Sequence, residues 1–314
     1  MQLPRPLPPT FPPFPYTFFI NAIVQPAHSG DCPASQAACA YAPPGQFTDE
    51  PRAIFYDRAA GEGDIYGFDT VGKINLVTQN TGWRTSWDLM VSGNFLGNNQ
   101  LPILGNNYEQ ILLYDRGAGQ ADVVSFDGVG NSNDAPTTSG WRTSWNTIVA
   151  GNFIGNDRQQ ALLYDRNGGA AAVIGFDNHG NVNLDPTTTG WRTSWNLITS
   201  GNFVGNGRSQ IVLYDRTAGH ADVVGFNDAG LEVNLDTGND DWLTEWDVML
   251  RGQFLENGRD QILLYDRTGG QIDIVGFDNS GKMNNDAVNF GVRNTWTDLA
   301  VLRNLPPPTT PPRR

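Results

Sequence analysis

Three copies of Gly-Trp-Arg-Thr-Ser-Trp stand at residues 82–87, 140–145 and 190–195. Each sets an indole beside a guanidinium: Trp83 with Arg84, Trp141 with Arg142, Trp191 with Arg192. An aromatic face next to a planar cation is a common way to hold a sugar or a carboxylate. The same pair also serves as plain packing, with the arginine covering the ring. These six residues are the candidate ligand site. Carboxylates form the second chemical group. Asp57, Asp115, Asp165, Asp215 and Asp266 each follow a tyrosine and precede an arginine. Asp64, Asp122, Asp222 and Asp273 come next at a fixed offset, with Ala172 in the third copy. Recurrence argues for turns or ion pairs, because a catalytic site breaks symmetry. No unrepeated Asp/Glu set suits glycoside hydrolysis. The histidines, His28, His179 and His220, fall in loops or turns. No Gly-x-Ser-x-Gly and no phosphate loop is present. No enzyme is expected.

The elements that position these residues follow from a repeat. All nine tryptophans lie in five related hexapeptides. Two copies are decayed, Asp241-Trp242-Leu243-Thr244-Glu245-Trp246 and Gly291-Val292-Arg293-Asn294-Thr295-Trp296. The second tryptophan survives in every copy, which suggests packing between units. Tyr-Asp-Arg recurs at Tyr56, Tyr114, Tyr164, Tyr214 and Tyr265, a period of about 50 residues. Within one unit, strands are expected at Leu197–Phe203, Gln210–Asp215, Ala221–Phe226 and Leu231–Leu235, separated by Gly/Asn turns. Four short antiparallel strands per unit, five times over, predict an all-β five-bladed propeller. Extra residues in the second unit fall between Asn98 and Tyr108. The strand-like Asp298–Leu305 is expected to complete the first blade. The chain divides into a Pro-rich arm (1–15), an apolar strand with a cysteine loop (16–44), the propeller (45–305) and a Pro/Thr tail (306–314).

Gly-Asn-Phe-Val-Gly-Asn-Gly-Arg-Ser-Gln, from Gly201 to Gln210, resembles the FG-GAP/VCBS repeat of integrin-like propellers. That family writes aspartates in this loop, and they often bind calcium. Here Asn152, Asn156, Asn202, Asn206, Gln253 and Asn257 replace most of them. Calcium wants several charged oxygens, whereas asparagine holds a turn alone. Metal-free turns are expected, and no cofactor. Glu256, Asn257 and Asp260 are the weak calcium candidates.

The formal net charge of −13 opposes binding to nucleic acid or to anionic lipid. No apolar run is long enough to span a membrane. Cys32 and Cys39 are the only cysteines, and a local disulfide between them implies an oxidising compartment. Tyr16, Phe18, Ile20, Ala22 and Val24 give a strand with one apolar face and no counterpart in the repeat. On a proline arm, such a strand adds to a sheet edge of its own molecule or of a neighbouring copy. The expectation is therefore a non-catalytic extracellular or cell-surface structural protein. It would assemble with itself head-to-tail, as a filament or fibre, through the terminal strand. The alternative is a multivalent lectin binding glycans at the Trp-Arg pairs. A glycosidase with a site in the central funnel is a distant third.

Overall fold

The computed structural model describes residues 23–24, 52–68, 73–97, 109–127, 130–134, 137–156, 158–239, 241–255 and 257–296. The architecture is the expected one. Five antiparallel sheets follow one another along the chain, each a blade of a β-propeller.

Blade 4 shows the plan. Its innermost strand is Leu197–Gly201, followed by Gln210–Asp215, His220–Phe226 and the outermost Glu232–Asn239. The second strand is buried throughout. It lies mid-sheet, and both its faces meet neighbouring blades. Blades 2 and 3 repeat this, with second strands Gln110–Asp115 and Gln160–Asp165, and blade 5 follows with Gln261–Asp266, where only Leu263 is half-buried. Between successive blades lies one apolar layer. Blades 1 and 2 share Ile54, Ile65, Trp87, Ile111 and Phe126. Blades 2 and 3 share Leu112, Tyr114, Trp145, Leu163 and Phe176. The innermost strands stand side by side, and adjacent ones are stitched together: Ser200 donates to the Ala150 carbonyl (2.6 Å), Arg251 to that of Ser200 (3.1 Å).

Two elements differ from the sequence reading. In blades 2 and 3 the outermost strand is split, into Ser132–Asp134 with Thr138–Ser139, and Val182–Leu184 with Thr187–Thr189. Pro136 and Pro186 fall in the two intervals, and a proline has no N–H for the ladder. Pro186 keeps only its acceptor role, taking the Val173 N–H at 3.1 Å. Blades 1, 4 and 5 have no proline there and keep eight-residue outer strands.

The second difference concerns the first blade. Its innermost strand is Ile23–Val24, paired antiparallel with Arg52–Asp57 in the register Ile23↔Ala53, Val24↔Arg52. The strand read as lacking a counterpart thus has one: it fills the edge assigned to Asp298–Leu305. Tyr16, Phe18, Ile20 and Ala22 lie outside the described residues, as do Cys32, Cys39, the inserted segment and residues 297–314.

Candidate functional site

The hexapeptides are the linkers between blades; all five are held from the preceding blade, and the three intact copies are clasped from the following blade as well. The tyrosine of the preceding blade donates its hydroxyl to a linker carbonyl: Tyr164 to Arg192 (2.5 Å), Tyr214 to Leu243 (2.5 Å), Tyr265 to Arg293 (2.6 Å). The aspartate of the following blade accepts the linker serine: Ser86 to Asp115 (2.5 Å), Ser144 to Asp165 (2.6 Å), and Ser194 to Asp215. The other oxygen of Asp165 takes the turn N–H groups of Asn167 and Gly168. Burial opposes the charge of Asp115 and Asp165. The serine hydroxyl and the turn N–H groups outweigh it and hold both pKa values below the usual carboxylate range. The Tyr-Asp-Arg aspartates are therefore turn and clasp residues.

The Trp-Arg pairs are divided in a way the sequence did not show. The first tryptophan belongs to the preceding blade's tyrosine: ring centroids lie 6.1 Å apart for Tyr56–Trp83, 5.8 Å for Tyr114–Trp141 and 5.8 Å for Tyr164–Trp191. Trp83 also meets Phe126, and the Trp191 Nε1–H donates to Glu232 at 2.6 Å. The arginine lies instead over the second, buried tryptophan: Arg84 over Trp87 at 5.1 Å, Arg142 over Trp145 at 5.6 Å, Arg192 over Trp195 at 5.5 Å.

Arg84 reaches the start of the following blade's third strand, and at that place the copies diverge. The position five residues after the repeated aspartate is Glu62, Gln120, Ala170, His220 or Gln271. In blade 2, Arg84 donates to Gln120 Oε1 and to Thr137 Oγ1 (3.4 Å). In blade 3, Ala170 and Ala172 take the polar side chains off that strand, and burial raises the pKa of Asp185 while Arg142 favours its charged form. In blade 4, the His220 Nε2 lies 2.8 Å from Asp222 Oδ1. The His220 ring stacks on Trp195, centroids 6.0 Å apart and planes at 24°. The side chains of His220 and Asp222 are 7% and 14% exposed. This His–Asp dyad, on the ring that also carries Arg192, is the candidate active site. The sequence reading assigned His220 to a turn, whereas it opens a strand and is buried. The signal was available in the repeat: one column, five copies, one imidazole, with a carboxylate on the same strand face two residues later.

The related aspartates differ from Asp222. Asp122 is raised by burial, partly offset by Thr137 and Arg84. Asp273 is raised to about 7, first by burial and then by its neighbour Asp286.

The calcium candidates serve another end. Asn257 Oδ1 accepts the Arg259 N–H (3.1 Å) and Gln261 Nε2–H (2.8 Å), and Asp260 Oδ2 accepts the Asn202 N–H of the preceding blade (2.9 Å). Glu256 lies outside the described residues. Two concavities of about 720 and 570 Å³ sit beside these loops in blades 5 and 3, on the rim opposite the linkers. Their arginines are committed to carbonyls, Arg259 to Phe277 (3.0 Å) and Arg158 to Phe176 (2.7 Å). Size and chemistry therefore separate here, and the chemistry lies with the dyad.

No family model and no curated protein sequence matches the chain. Solved structures resemble it in fold. A protein of Lactobacillus plantarum shares 12% identity over 78% of this chain and 69% of its own, with a TM-score of 0.50. A putative 6-phosphogluconolactonase of Bacteroides uniformis shares 12% over 80% and 70%, also at 0.50. The periplasmic gluconolactonase PpgL of Pseudomonas aeruginosa shares 13% over 78% and 68%, at 0.49. At such identities the likeness speaks for the fold. It also corrects an expectation. A similarly built chain carries the name of an enzyme, the putative 6-phosphogluconolactonase, so symmetry and missing motifs do not license a non-catalytic, self-assembling structural subunit. The expectation that the chain is no enzyme falls with it. The lectin alternative loses its aromatic platform, since the first tryptophans face tyrosines.

Proposed function

We propose that the chain is a hydrolase that opens a lactone or similar ester, with His220 as general base and Asp222 orienting it. The observation that carries this is the dyad, present at one of five otherwise equivalent positions. With Nε2–H donated to Asp222, the ring's lone pair lies on Nδ1, and Asp222 stabilises the imidazolium that forms. Water adds to the carbonyl carbon as Nδ1 takes its proton. The adduct then expels the ring oxygen, which receives that proton, and the product is the open hydroxy acid. Trp195 fixes the plane of the imidazole from one side.

Gluconolactone is the first probe. The name of a similarly folded structure suggests the probe; the dyad supports the reaction class. Wild-type protein is expected to hydrolyse it above the buffer rate, and His220→Gln to lower kcat by about 100- to 10,000-fold while circular dichroism stays unchanged. A folded wild type no faster than buffer on lactones and aryl esters would end this reading. An extracellular or cell-surface setting, and descent of the blades from an FG-GAP/VCBS-type repeat, belong to the same reading. The second rests on the Gly-Asn-Phe and Gly-Asn-Gly-Arg loops.

A further inference from the structure

We infer that Arg192 is a carboxylate-binding residue, and that the ligand of the dyad's rim is a polyhydroxy carboxylate such as the acid released on lactone opening. The inference rests on the proposed reaction for the identity of the ligand, and on geometry for the site. The comparison is with Arg84. In blade 2 that guanidinium is occupied by Gln120 and Thr137. Strand pairing locates the matching positions in blade 4: Ala121↔Thr138 corresponds to Ala221↔Asn239. Gln120 is thus matched by His220, and Thr137 by Gly238. One acceptor has become an imidazole turned to Asp222, and the other has lost its side chain. Arg192 itself is exposed. Its guanidinium rests over Trp195 and has neither a hydrogen-bond nor an ion-pair partner among the described residues.

A stacked guanidinium keeps its N–H edge for a ligand, and that planar fork matches a carboxylate through two parallel bonds. On a chain of net charge −13, a cation stacked on the same indole as the general base is also where an anion would be admitted. Lactone opening creates a carboxylate at the atom that the base-activated water attacks. Arg192 is placed on the same indole to receive it.

The test is calorimetric titration of the full chain with gluconate. Binding is expected in the wild type, weakened about tenfold or more in Arg192→Gln. Arg192→Lys, which keeps the charge but not the fork, should fall between them. Arg142→Gln, at the matching place beside Ala170 and Ala172, should bind like wild type. Equal binding by Arg192→Gln, or no binding by folded wild type, would overturn the inference. The two proposals fail separately. Arginine-dependent gluconate binding without hydrolysis removes the reaction and leaves the carboxylate site. Hydrolysis whose KM ignores Arg192 does the reverse.

Discussion

At the scale of single residues, the molecule separates side chains that hold the linkers from the few that depart from the repeat. Trp145 is of the first kind, 4% exposed between blades 2 and 3. Trp145→Ala should cost about 3–5 kcal/mol in denaturant unfolding; a loss near zero would mean that the blades do not need it. His220 is of the second kind, and the recurring Asp222 is its partner. Asp222→Asn should lower kcat with little effect on KM, because it removes the acceptor-only carboxylate that sets the imidazole tautomer and the charge that stabilises the imidazolium. Asp273 gives a pH prediction. Burial and Asp286 place its pKa at about 7, above the ordinary carboxylate value. The folded chain therefore holds a proton that the unfolded chain releases between about pH 4 and pH 7, so stability falls as pH rises through that window. Thermal melts across the window should show the fall, and Asp273→Asn should flatten it. An equal slope in the variant would assign the effect elsewhere. The linker residues were legible from their strict recurrence. His220 was not, because recurrence hides the one copy that departs from it.

Among elements, the turn between second and third strands is the most constrained. Gly219 adopts φ +60°, and a Cβ there would lie 2.2 Å from the Trp242 carbonyl oxygen. The same glycine N–H and C=O neighbourhood receives the linker, since Trp242 N–H donates to the Gly219 carbonyl at 3.0 Å. Gly219→Ala should therefore destabilise by about 3 kcal/mol or more, combining left-handed strain with displacement of the linker. Unchanged unfolding in urea would show that the linker yields freely. Strand positions were readable because glycine turns bracket alternating apolar residues. The split outer strands were not, although Pro136 and Pro186 were in plain sight: a proline's effect depends on whether its missing N–H faced a partner strand. The arginine positions were misjudged for a related reason. Neighbours in sequence, Trp191 and Arg192 meet different rings, Tyr164 and Trp195, and only the fold shows which.

For the whole molecule, the repeat gave the blade count because five copies of one unit have few ways to bury their faces. It gave the wrong partner for the first blade, since both chain ends offer an apolar strand and composition does not rank them. A chain beginning after Val24 lacks the innermost strand of blade 1 and should melt several degrees lower than the full chain. An unchanged melt would show that the pairing with Arg52–Asp57 adds nothing. The linkers carry a further consequence, in time rather than in energy. The three intact linkers, between blades 1 and 4, are each tied backwards by a tyrosine and forwards by an aspartate, so blades 2 and 3 cannot leave without releasing bonds to both neighbours. Fraying from one blade is therefore suppressed, and opening requires several clasps to let go together. Such a chain unfolds rarely and as one unit. It presents proteases with sealed joints between blades, and its lifetime in their presence is set by the height of that barrier rather than by its equilibrium stability.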